Sequence, residues 1–253
     1  MLETAKKLAL EAGDKILNLQ NTHLKTTKKD NKGDFATEAD YEAEKIILSG
    51  LKEKFPRHNI ISEEIGKKDN KSNYTWIIDP IDGTLAYFSG LPTFGVSIGL
   101  LKDKKPYIGV IYLPYFKSLY WAESGKGAYL NGQKIQIGKK ENLIESIVGY
   151  DLAHAGGRKE ELKKLVAPVT DEVRYTPILG CTVAGLCYLA SGVYDVYLHS
   201  AYPWDFAAGA AIIREAGGVI TDYKGHDVDW NRDWIDFLAG NKVLHKKILK
   251  LIK

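Results

Sequence analysis

The chain has 253 residues, of which 26% are charged and 45% are apolar, and its formal net charge is +3. This length suits one large domain or two closely packed ones, and the composition is that of an ordinary soluble globular protein. The basic residues are spread along the chain, whereas nucleic-acid-binding proteins usually carry a clustered basic excess. No apolar run reaches the roughly 18 residues that span a bilayer. Neither a nucleic acid nor a membrane is therefore expected as a partner.

Cysteine content and the N-terminal residues predict a cytoplasmic location. The two cysteines, Cys181 and Cys187, fit a reduced chain better than a disulfide framework. No second Cys/His pair accompanies them, so a zinc site is not expected. The first residues form a charged, amphipathic stretch that differs from a signal peptide.

Two helices are predicted near the N-terminus. Apolar residues at helical spacing predict the first over 2–19 and the second over about 37–55, where Pro56 ends it. The segment between them, 20–36, is polar and contains glycine, which predicts a mobile loop.

The middle of the chain, 60–137, is predicted to form a largely antiparallel sheet. Two apolar, β-rich runs joined by 103–105 indicate a hairpin, and Asn131-Gly132 is a strong two-residue hairpin turn. The predicted strands are 60–61, 74–78, 96–101, 107–113, 119–122 and 129–130.

Beyond about residue 140, predicted strands and helices alternate. This change divides the chain into an N-terminal α+β half, 1–140, and a C-terminal α/β half, 141–253. The predicted strands are 146–150, 173–176, 194–198 and 219–221, and the predicted helices are 159–166, 182–191, 204–216 and one from about 242.

The segment 76–84, with the sequence WIIDPIDGT, is the most informative for chemistry. An apolar strand ends at Asp79, Pro80 lacks the N–H that would continue the ladder, and Asp82 follows. Gly83 and Thr84 then stand at a predicted helix start, where free N–H groups bind anions. Carboxylates beside such amides indicate phosphoryl chemistry with magnesium or manganese. The alternative, in which Asp82 simply caps a turn, leaves two like charges crowded together.

Three further acidic sites lie at the ends of predicted elements. Glu63-Glu64 follows a short strand, Asp205 opens a helix and Asp40 stands in a capping pattern. Each alone has a structural explanation, namely an exposed loop, a helix-dipole interaction and a cap. Together they match the need of a multi-metal site for carboxylates from several segments.

These motifs, in this order, resemble those of the inositol monophosphatase family over nearly the whole chain. They are 34–40 (DFATEAD), 61–64 (ISEE), 76–84, 203–205 (PWD) and 214–218 (REAGG). The resemblance implies the α/β (α+β) class and the layered αβαβα sugar-phosphatase fold, with a large, mainly antiparallel sheet and a second, smaller α/β half. It also implies a homodimer, and hydrolysis of a small phosphate monoester that depends on two or three Mg²⁺ ions, with Mn²⁺ possible, and is inhibited by lithium.

The resemblance also implies roles for the matching residues. One ion would be held by Glu63, Asp79 and the Ile81 carbonyl, a second by Asp79, Asp82 and Asp205, and a weaker third near Glu63. The catalytic residues would be Asp40 and Thr84, which orient or deprotonate the attacking water, together with Glu63. The substrate-binding residues would be Asp82, Gly83, Thr84, Gly180, Cys181, Thr182 and Asp205. The loop from about 25 to 35, with its glycine and lysines, is a candidate lid over metal and phosphate, and an ordinary exposed loop is the alternative.

Some positions depart from the family pattern and leave the substrate open. Leu198 occupies a position where many members place an acid that contacts polyol hydroxyls, and His199 follows it. Ala86 occupies a position where an asparagine is common. A sugar or polyol phosphate, such as inositol 1-phosphate or fructose 1,6-bisphosphate, is favoured, and histidinol phosphate and 3′-phosphoadenosine 5′-phosphate are alternatives.

Two other classes are disfavoured. A haloacid-dehalogenase-type phosphatase uses Asp-x-Asp, and the spacing from Asp79 to Asp82 is one residue too long for it. An inactive binding or scaffold protein on the same fold would lack some of the acids, all of which are present.

Overall fold

The computed structural model describes residues 1–20, 22, 25–29, 35–152 and 157–252. Two long helices, α1 (Leu2–Leu19) and α2 (Glu38–Lys54), pack against each other and against one face of a large sheet. Their buried apolar residues recur at helical spacing, as the sequence predicts. Those residues are Ala5, Leu8, Ala9, Ala12 and Ile16 in α1 and Ala39, Ala43, Ile47, Leu48 and Leu51 in α2.

The large sheet has eight strands in the order β10-β9-β8-β7-β6-β5-β3-β4, and its pairs are antiparallel except β3 with β5. A separate short hairpin joins β1 (Thr26–Lys28) to β2 (Phe35–Thr37). The strands of the large sheet are β3 (Asn59–Ser62), β4 (Gly66–Lys68), β5 (Tyr74–Asp82), β6 (Gly95–Lys102), β7 (Lys105–Leu113), β8 (Ser118–Glu123), β9 (Ala128–Leu130) and β10 (Gln133–Ile135).

The two predicted hairpins are confirmed. Asp103 and Lys104 connect β6 to β7, and Asn131 and Gly132 connect β9 to β10. All four residues have positive φ, between 48° and 84°. Positive φ at both central residues is the geometry whose twist matches a two-residue hairpin.

The second sheet has four strands in the order β11-β12-β14-β13, with β11 and β12 parallel. Its strands are β11 (Val148–Tyr150), β12 (Val196–Ala201), β13 (Val219–Thr221) and β14 (Ile235–Gly240). The remaining helices are α3 (Thr84–Phe88), α4 (Arg158–Glu161), α5 (Ala167–Thr170), α6 (Thr182–Ala190), α7 (Pro203–Glu215) and α8 (Lys242–Leu251), with a π-helical turn, Leu162–Val166, between α4 and α5.

Helices α6 and α7 lie between the two sheets and share one core with both of them. That core joins Ile77 and Ile111 of the large sheet to Tyr197 and Phe237 of the small one. A second core lies under α1 and α2, and a third joins the outer face of the small sheet to α8. The layers therefore run helix, sheet, helix, sheet, helix, which confirms the predicted αβαβα architecture.

Three local predictions differ from the structure. Residues 173–176 form no strand, because only Tyr175 bridges to Ile147 and the chain then reaches Pro177, which lacks an N–H. Within the predicted loop 20–36, residues 26–28 form β1 and residues 35–36 begin β2. The lid predicted over 25–35 lies in part, at 30–34, outside the described residues. Strand β14, in the interior of the small sheet, was not predicted.

None of the helices in the described part of the chain is both long and apolar enough to cross a membrane.

Candidate active site

The strand β5 delivers two carboxylates to one edge of the large sheet. Asp79 pairs with Ser97, Asp82 pairs with Gly95, and the register shifts between them. Pro80 stands in this irregular stretch, and Asp79 Oδ1 accepts a hydrogen bond of 2.9 Å from the amide of Ile81. The bulge turns the end of the strand so that two residues three apart both face the site.

The carboxylates of Asp79, Asp82 and Asp205 converge, with one oxygen of each within 4.8 Å of the others. Asp205 comes from the start of α7, where the amide of Tyr202 donates to its Oδ2 at 2.8 Å. Asp79 is almost fully buried, and the other two are half-buried. In the described ranges, no lysine or arginine forms an ion pair with any of the three.

Crowding makes these acids hard to ionise without a cation. Burial, followed by repulsion from neighbouring carboxylates, raises the pKa of Asp79 and Asp205 well above the ordinary value. Burial also raises the pKa of Asp82 to about 7. Three crowded carboxylates that have no lysine or arginine partner in the described ranges suit a hard divalent cation such as Mg²⁺ or Mn²⁺. The donor set therefore fits a metal ion.

A second acidic pair lies beside the first and is neutralised differently. Lys29, next to β1, donates to Glu63 Oε1 at 2.7 Å and also to Glu64. These two acids follow β3, the parallel neighbour of β5. The two carboxylates raise the pKa of the Lys29 ammonium well above its ordinary value, although burial opposes them. Burial raises the pKa of Glu64 to about 7.

The buried acid Glu44 holds the turn that carries this pair, a role the sequence analysis missed. Its Oε1 accepts hydrogen bonds from the Ser62 hydroxyl and from the amides of Glu64, at 3.2 Å, and Ile65, at 3.3 Å. Glu44 lies one helical turn after Asp40 on α2, so both acids face the site side of that helix. The signal in the sequence was a charged residue on an otherwise apolar helix face.

Asp40 is fully buried and serves both as a cap and as a neighbour of Thr84. Its Oδ2 accepts from the amide and hydroxyl of Thr37, which completes the predicted capping box. Its Oδ1 accepts from Thr84 Oγ1 at 3.2 Å, and the same hydroxyl lies 3.0 Å from the Ile81 carbonyl. Burial raises the pKa of Asp40 to about 6.

Gly83 makes the sharp turn from β5 into α3. Its φ is +83°, and a Cβ at this position would lie 2.8 Å from the Thr93 carbonyl oxygen. Only glycine meets both conditions without strain. The turn puts Thr84 at the first position of α3, where its amide has no partner within the helix.

The segment Gly180-Cys181-Thr182 comes to the site from the C-terminal half. Asp82 Oδ2 accepts from the Val183 amide at 2.6 Å and lies 3.1 Å from Cys181 Sγ. Thr182 is buried at the first position of α6. Asp151, which the sequence analysis did not select, accepts hydrogen bonds from the amides of Gly180 and Cys181.

Leu198 lies inside β12 and is fully buried in the outer core against α8. The Leu198 side chain therefore lies in the core, and no polar group takes the place of the acid at this position. His199 faces the opposite side of the strand, where its ring packs edge-on against Phe237 and its Nδ1 lies 2.8 Å from the Asp151 carbonyl oxygen.

Comparison with known proteins gives the family. The model of the inositol monophosphatase family matches residues 1–253. The chain belongs to that family. It is 37% identical over 256 residues to the fructose-1,6-bisphosphatase/inositol-1-monophosphatase of Aquifex aeolicus, covering 100% of this chain and 95% of the relative. It is 32% identical over 262 residues to human inositol monophosphatase 1, covering 100% and 94%.

Solved structures agree with this assignment. The crystal structure of the extragenic suppressor protein SuhB from Bartonella henselae superposes with a TM-score of 0.93 at 30% identity, covering 99% of this chain and 97% of that one. This member of the inositol monophosphatase family is therefore a phosphatase, a phosphoric monoester hydrolase.

Proposed function

We propose that the protein hydrolyses a small sugar or polyol phosphate, such as inositol 1-phosphate or fructose 1,6-bisphosphate, with Mg²⁺ as cofactor and water as nucleophile. The observation that carries the proposal is the convergence of Asp79, Asp82 and Asp205 within 4.8 Å in the absence of a lysine or arginine partner in the described residues. Such a cluster beside an Asp–Thr pair and a strand-to-helix turn suits phosphoryl transfer.

Five residues would hold two or three cations. Asp79 would serve two of them, with Glu63 and the Ile81 carbonyl on one side and Asp82 and Asp205 on the other. When bound, the metal ions supply charge neutralisation at the phosphate and lower the pKa of coordinated water. The parallel pair β3 and β5 supports this arrangement, because both strands deliver their acids at the same edge of the sheet.

The attacking water would be oriented by Thr84 and Asp40. The Thr84 hydroxyl has one proton and two acceptors within 3.2 Å, Asp40 Oδ1 and the Ile81 carbonyl. When it donates to Asp40, a lone pair of Oγ1 is available to accept a proton from water. Asp40, whose pKa burial raises to about 6, would accept the hydroxyl's own proton as the proton from water moves to Oγ1.

In an in-line displacement the leaving group would lie on the far side of the phosphorus from this water. The amides of Gly83 and Thr84, at the start of α3, would donate to the phosphate oxygens. The segment Gly180-Cys181-Thr182 would contact the leaving group, close to Asp82 and Asp205. Asp82 and Asp205 would also contact the substrate directly and so contribute to its recognition.

Because Leu198 supplies no acid to contact polyol hydroxyls, we expect the substrate pocket to accept more than one sugar or polyol phosphate. The relative from Aquifex aeolicus carries both a fructose-bisphosphatase and an inositol-monophosphatase name. We therefore favour a sugar or polyol phosphate over histidinol phosphate or 3′-phosphoadenosine 5′-phosphate. The proposal also includes a homodimer, a cytoplasmic location, inhibition by lithium and partial activity with Mn²⁺. It divides the chain into an N-terminal half, 1–140, and a C-terminal half, 141–253.

Phosphate release tests the proposal. Inositol 1-phosphate, fructose 1,6-bisphosphate, histidinol phosphate and 3′-phosphoadenosine 5′-phosphate are supplied with Mg²⁺ and with excess chelator. We expect Mg²⁺-dependent release from a sugar or polyol phosphate, and its loss in Asp82→Asn. The matched control is Asp229→Asn, an exposed aspartate that should retain full activity. Full activity in chelator, or in Asp82→Asn, would contradict the metal role.

A further inference from the structure

Asp151 is a buried carboxylate, 7% exposed, immediately after β11. It accepts four hydrogen bonds. Its Oδ1 accepts from the amides of Leu179, at 3.0 Å, and Gly180, at 2.6 Å. Its Oδ2 accepts from the Cys181 amide at 3.1 Å and from the Tyr197 hydroxyl at 2.6 Å.

This carboxylate has no ion-pair partner in the part of the chain that the structure describes. A buried charge is tolerated only when hydrogen bonds replace its water, and charge-assisted bonds from amides are strong. Three successive N–H groups aimed at one carboxylate also fix the conformation of the segment that carries them. Asp151 thus orders residues 179–181.

Tyr197 reaches Asp151 because two glycines make room for its ring. A Cβ on Gly185 of α6 would lie 2.3 Å from a ring carbon of Tyr197, and a Cβ on Gly149 of β11 would lie 3.0 Å from another. Any larger residue at Gly185 would push the ring away from Asp151. Residues of β11, β12 and α6 therefore together set the position of the Tyr197 ring, whose hydroxyl donates to Asp151.

The ordered segment holds the acid cluster in turn. Immediately after the amides bound by Asp151, the Cys181 thiol and the Val183 amide both contact Asp82 Oδ2, at 3.1 Å and 2.6 Å. These contacts fix the rotation of the Asp82 carboxylate. Asp151, a buried aspartate outside the cluster, is thus connected to Asp82 inside it through residues 179–183.

We propose that Asp151, supported by Tyr197, is a positioning residue that sets the affinity of the Asp79–Asp82–Asp205 cluster for divalent cations. The inference rests on the proposed function, because it requires that this cluster bind a cation. Two effects act in the same direction. The hydrogen bonds fix the orientation of Asp82, and the negative charge of Asp151 adds to the field that attracts a cation.

The charge effect follows from proximity, because Asp151 and Asp82 both contact Cys181, the first through its amide and the second through its thiol. A negative charge close to the cluster attracts a divalent cation twice as strongly as a proton at the same point. Residues that hold metal ligands in position without binding the metal typically change metal affinity by about 10–100-fold.

Direct binding of Mn²⁺ tests the inference without substrate. We would titrate Mn²⁺ into wild-type and Asp151→Asn protein at about pH 8 and follow free Mn²⁺ by electron paramagnetic resonance. Asparagine keeps the shape, but its NH₂ faces the Cys181 amide, donor to donor. We expect the dissociation constant to rise roughly tenfold. Tyr197→Phe, which keeps the charge and loses one hydrogen bond, should raise it by less.

The matched control is Asp195→Asn. Asp195 is also buried, precedes β12 and accepts from the Ile147 amide at 2.8 Å and from Lys140 at 2.9 Å, but at the opposite end of the β11–β12 pair. Its loss should lower the melting temperature and leave Mn²⁺ binding unchanged. A matching loss of Mn²⁺ affinity in Asp195→Asn would show a general structural effect and overturn the inference.

The remaining outcomes are also decisive. Mn²⁺ affinity within twofold of wild type in Asp151→Asn would overturn the inference and leave the proposed function standing. If Asp151→Asn does not fold, unchanged affinity in Tyr197→Phe would overturn it, and weakened affinity would support it. Wild-type protein that binds no Mn²⁺ would overturn the proposed function together with this inference.

Discussion

Two groups of acids lie at the ends of neighbouring parallel strands and are neutralised in opposite ways. Glu63 and Glu64, after β3, bind the ammonium of Lys29. Asp79 and Asp82, at the end of β5, meet Asp205, and no lysine or arginine in the described ranges pairs with them. The same edge of the sheet thus carries one acidic group with a built-in cation and one without. The second is where we propose that metal ions supply the missing charge.

The largest expected effect comes from removing charge where no cation is built in. In Asp79→Asn the amide oxygen still accepts from the Ile81 N–H, but the carboxylate is lost. We expect turnover to fall by more than about a hundredfold, because loss of a residue that only positions a metal ligand already costs up to about that much. Because the substitution relieves repulsion among the acids, the free energy of unfolding in chelator should increase. The melting temperature should then rise by a few degrees, at about 2–4 °C for each kcal/mol of added stability.

Phosphate release and thermal unfolding in chelator check this pair of effects. Loss of a metal ligand should lower turnover and raise the melting temperature in chelator, whereas a damaged fold would lower both. A variant that is inactive and also less stable in chelator would contradict the view that Asp79 is repelled by its neighbours.

The pH dependence of stability should follow from the same repulsion. The pKa of Asp40 is about 6 and that of Asp82 about 7, both above the ordinary value of 3.8. Between about pH 4 and 7 the folded, metal-free protein therefore holds protons that the unfolded chain has released. The free energy of unfolding must then fall as pH rises through this window. We expect the melting temperature in chelator to drop by roughly 5 °C or more from pH 5 to pH 8.

Adding Mg²⁺ separates this effect from other titrations. The cation should restore most of the lost stability at pH 8 and have little effect at pH 5, where protons already neutralise the acids. Asp79→Asn protein provides the control, since its melting temperature should depend less on pH. A metal-free melting temperature that rises from pH 5 to pH 8 would contradict the raised pKa values.

Much of this arrangement follows from local sequence. Helical spacing predicts α1 and α2, and Asn131-Gly132 predicts its hairpin turn because the geometry depends on two adjacent residues. The structure brings Asp79, Asp82 and Asp205 together as the motif order leads one to expect, and their roles stay predictions.

The missed features depend on contacts between distant segments. Asp151 binds amides about 30 positions away and Tyr197 46 positions away, and no local pattern connects them. Strand β14 pairs with β12 and β13, yet its sequence mixes Asp236 with apolar residues after a polar stretch. The false strand 173–176 shows the reverse error, since β-forming residues need a partner along their whole length to form a ladder.

The smallest expected effect concerns the group that already has its cation. In Lys29→Met the stem of the side chain is kept, but Glu63 and Glu64 lose their ammonium partner. In chelator the melting temperature should fall by a few degrees, opposite in sign to Asp79→Asn, because a second set of acids becomes uncompensated. The neighbouring exposed Lys28, which forms none of the described ion pairs, gives the control variant Lys28→Met.

Mn²⁺ binding then decides what Lys29 does beside the proposed metal site. If its ammonium competes with a cation for Glu63, Lys29→Met should bind the weakest Mn²⁺ ion roughly two- to fivefold more tightly, the modest gain expected when one partly exposed charge is removed. Unchanged affinity in Lys29→Met would mean that Glu63 can hold the lysine and a metal ion on different oxygens. Weaker binding would contradict competition, and would place Lys29 among the residues that shape the site for the cation.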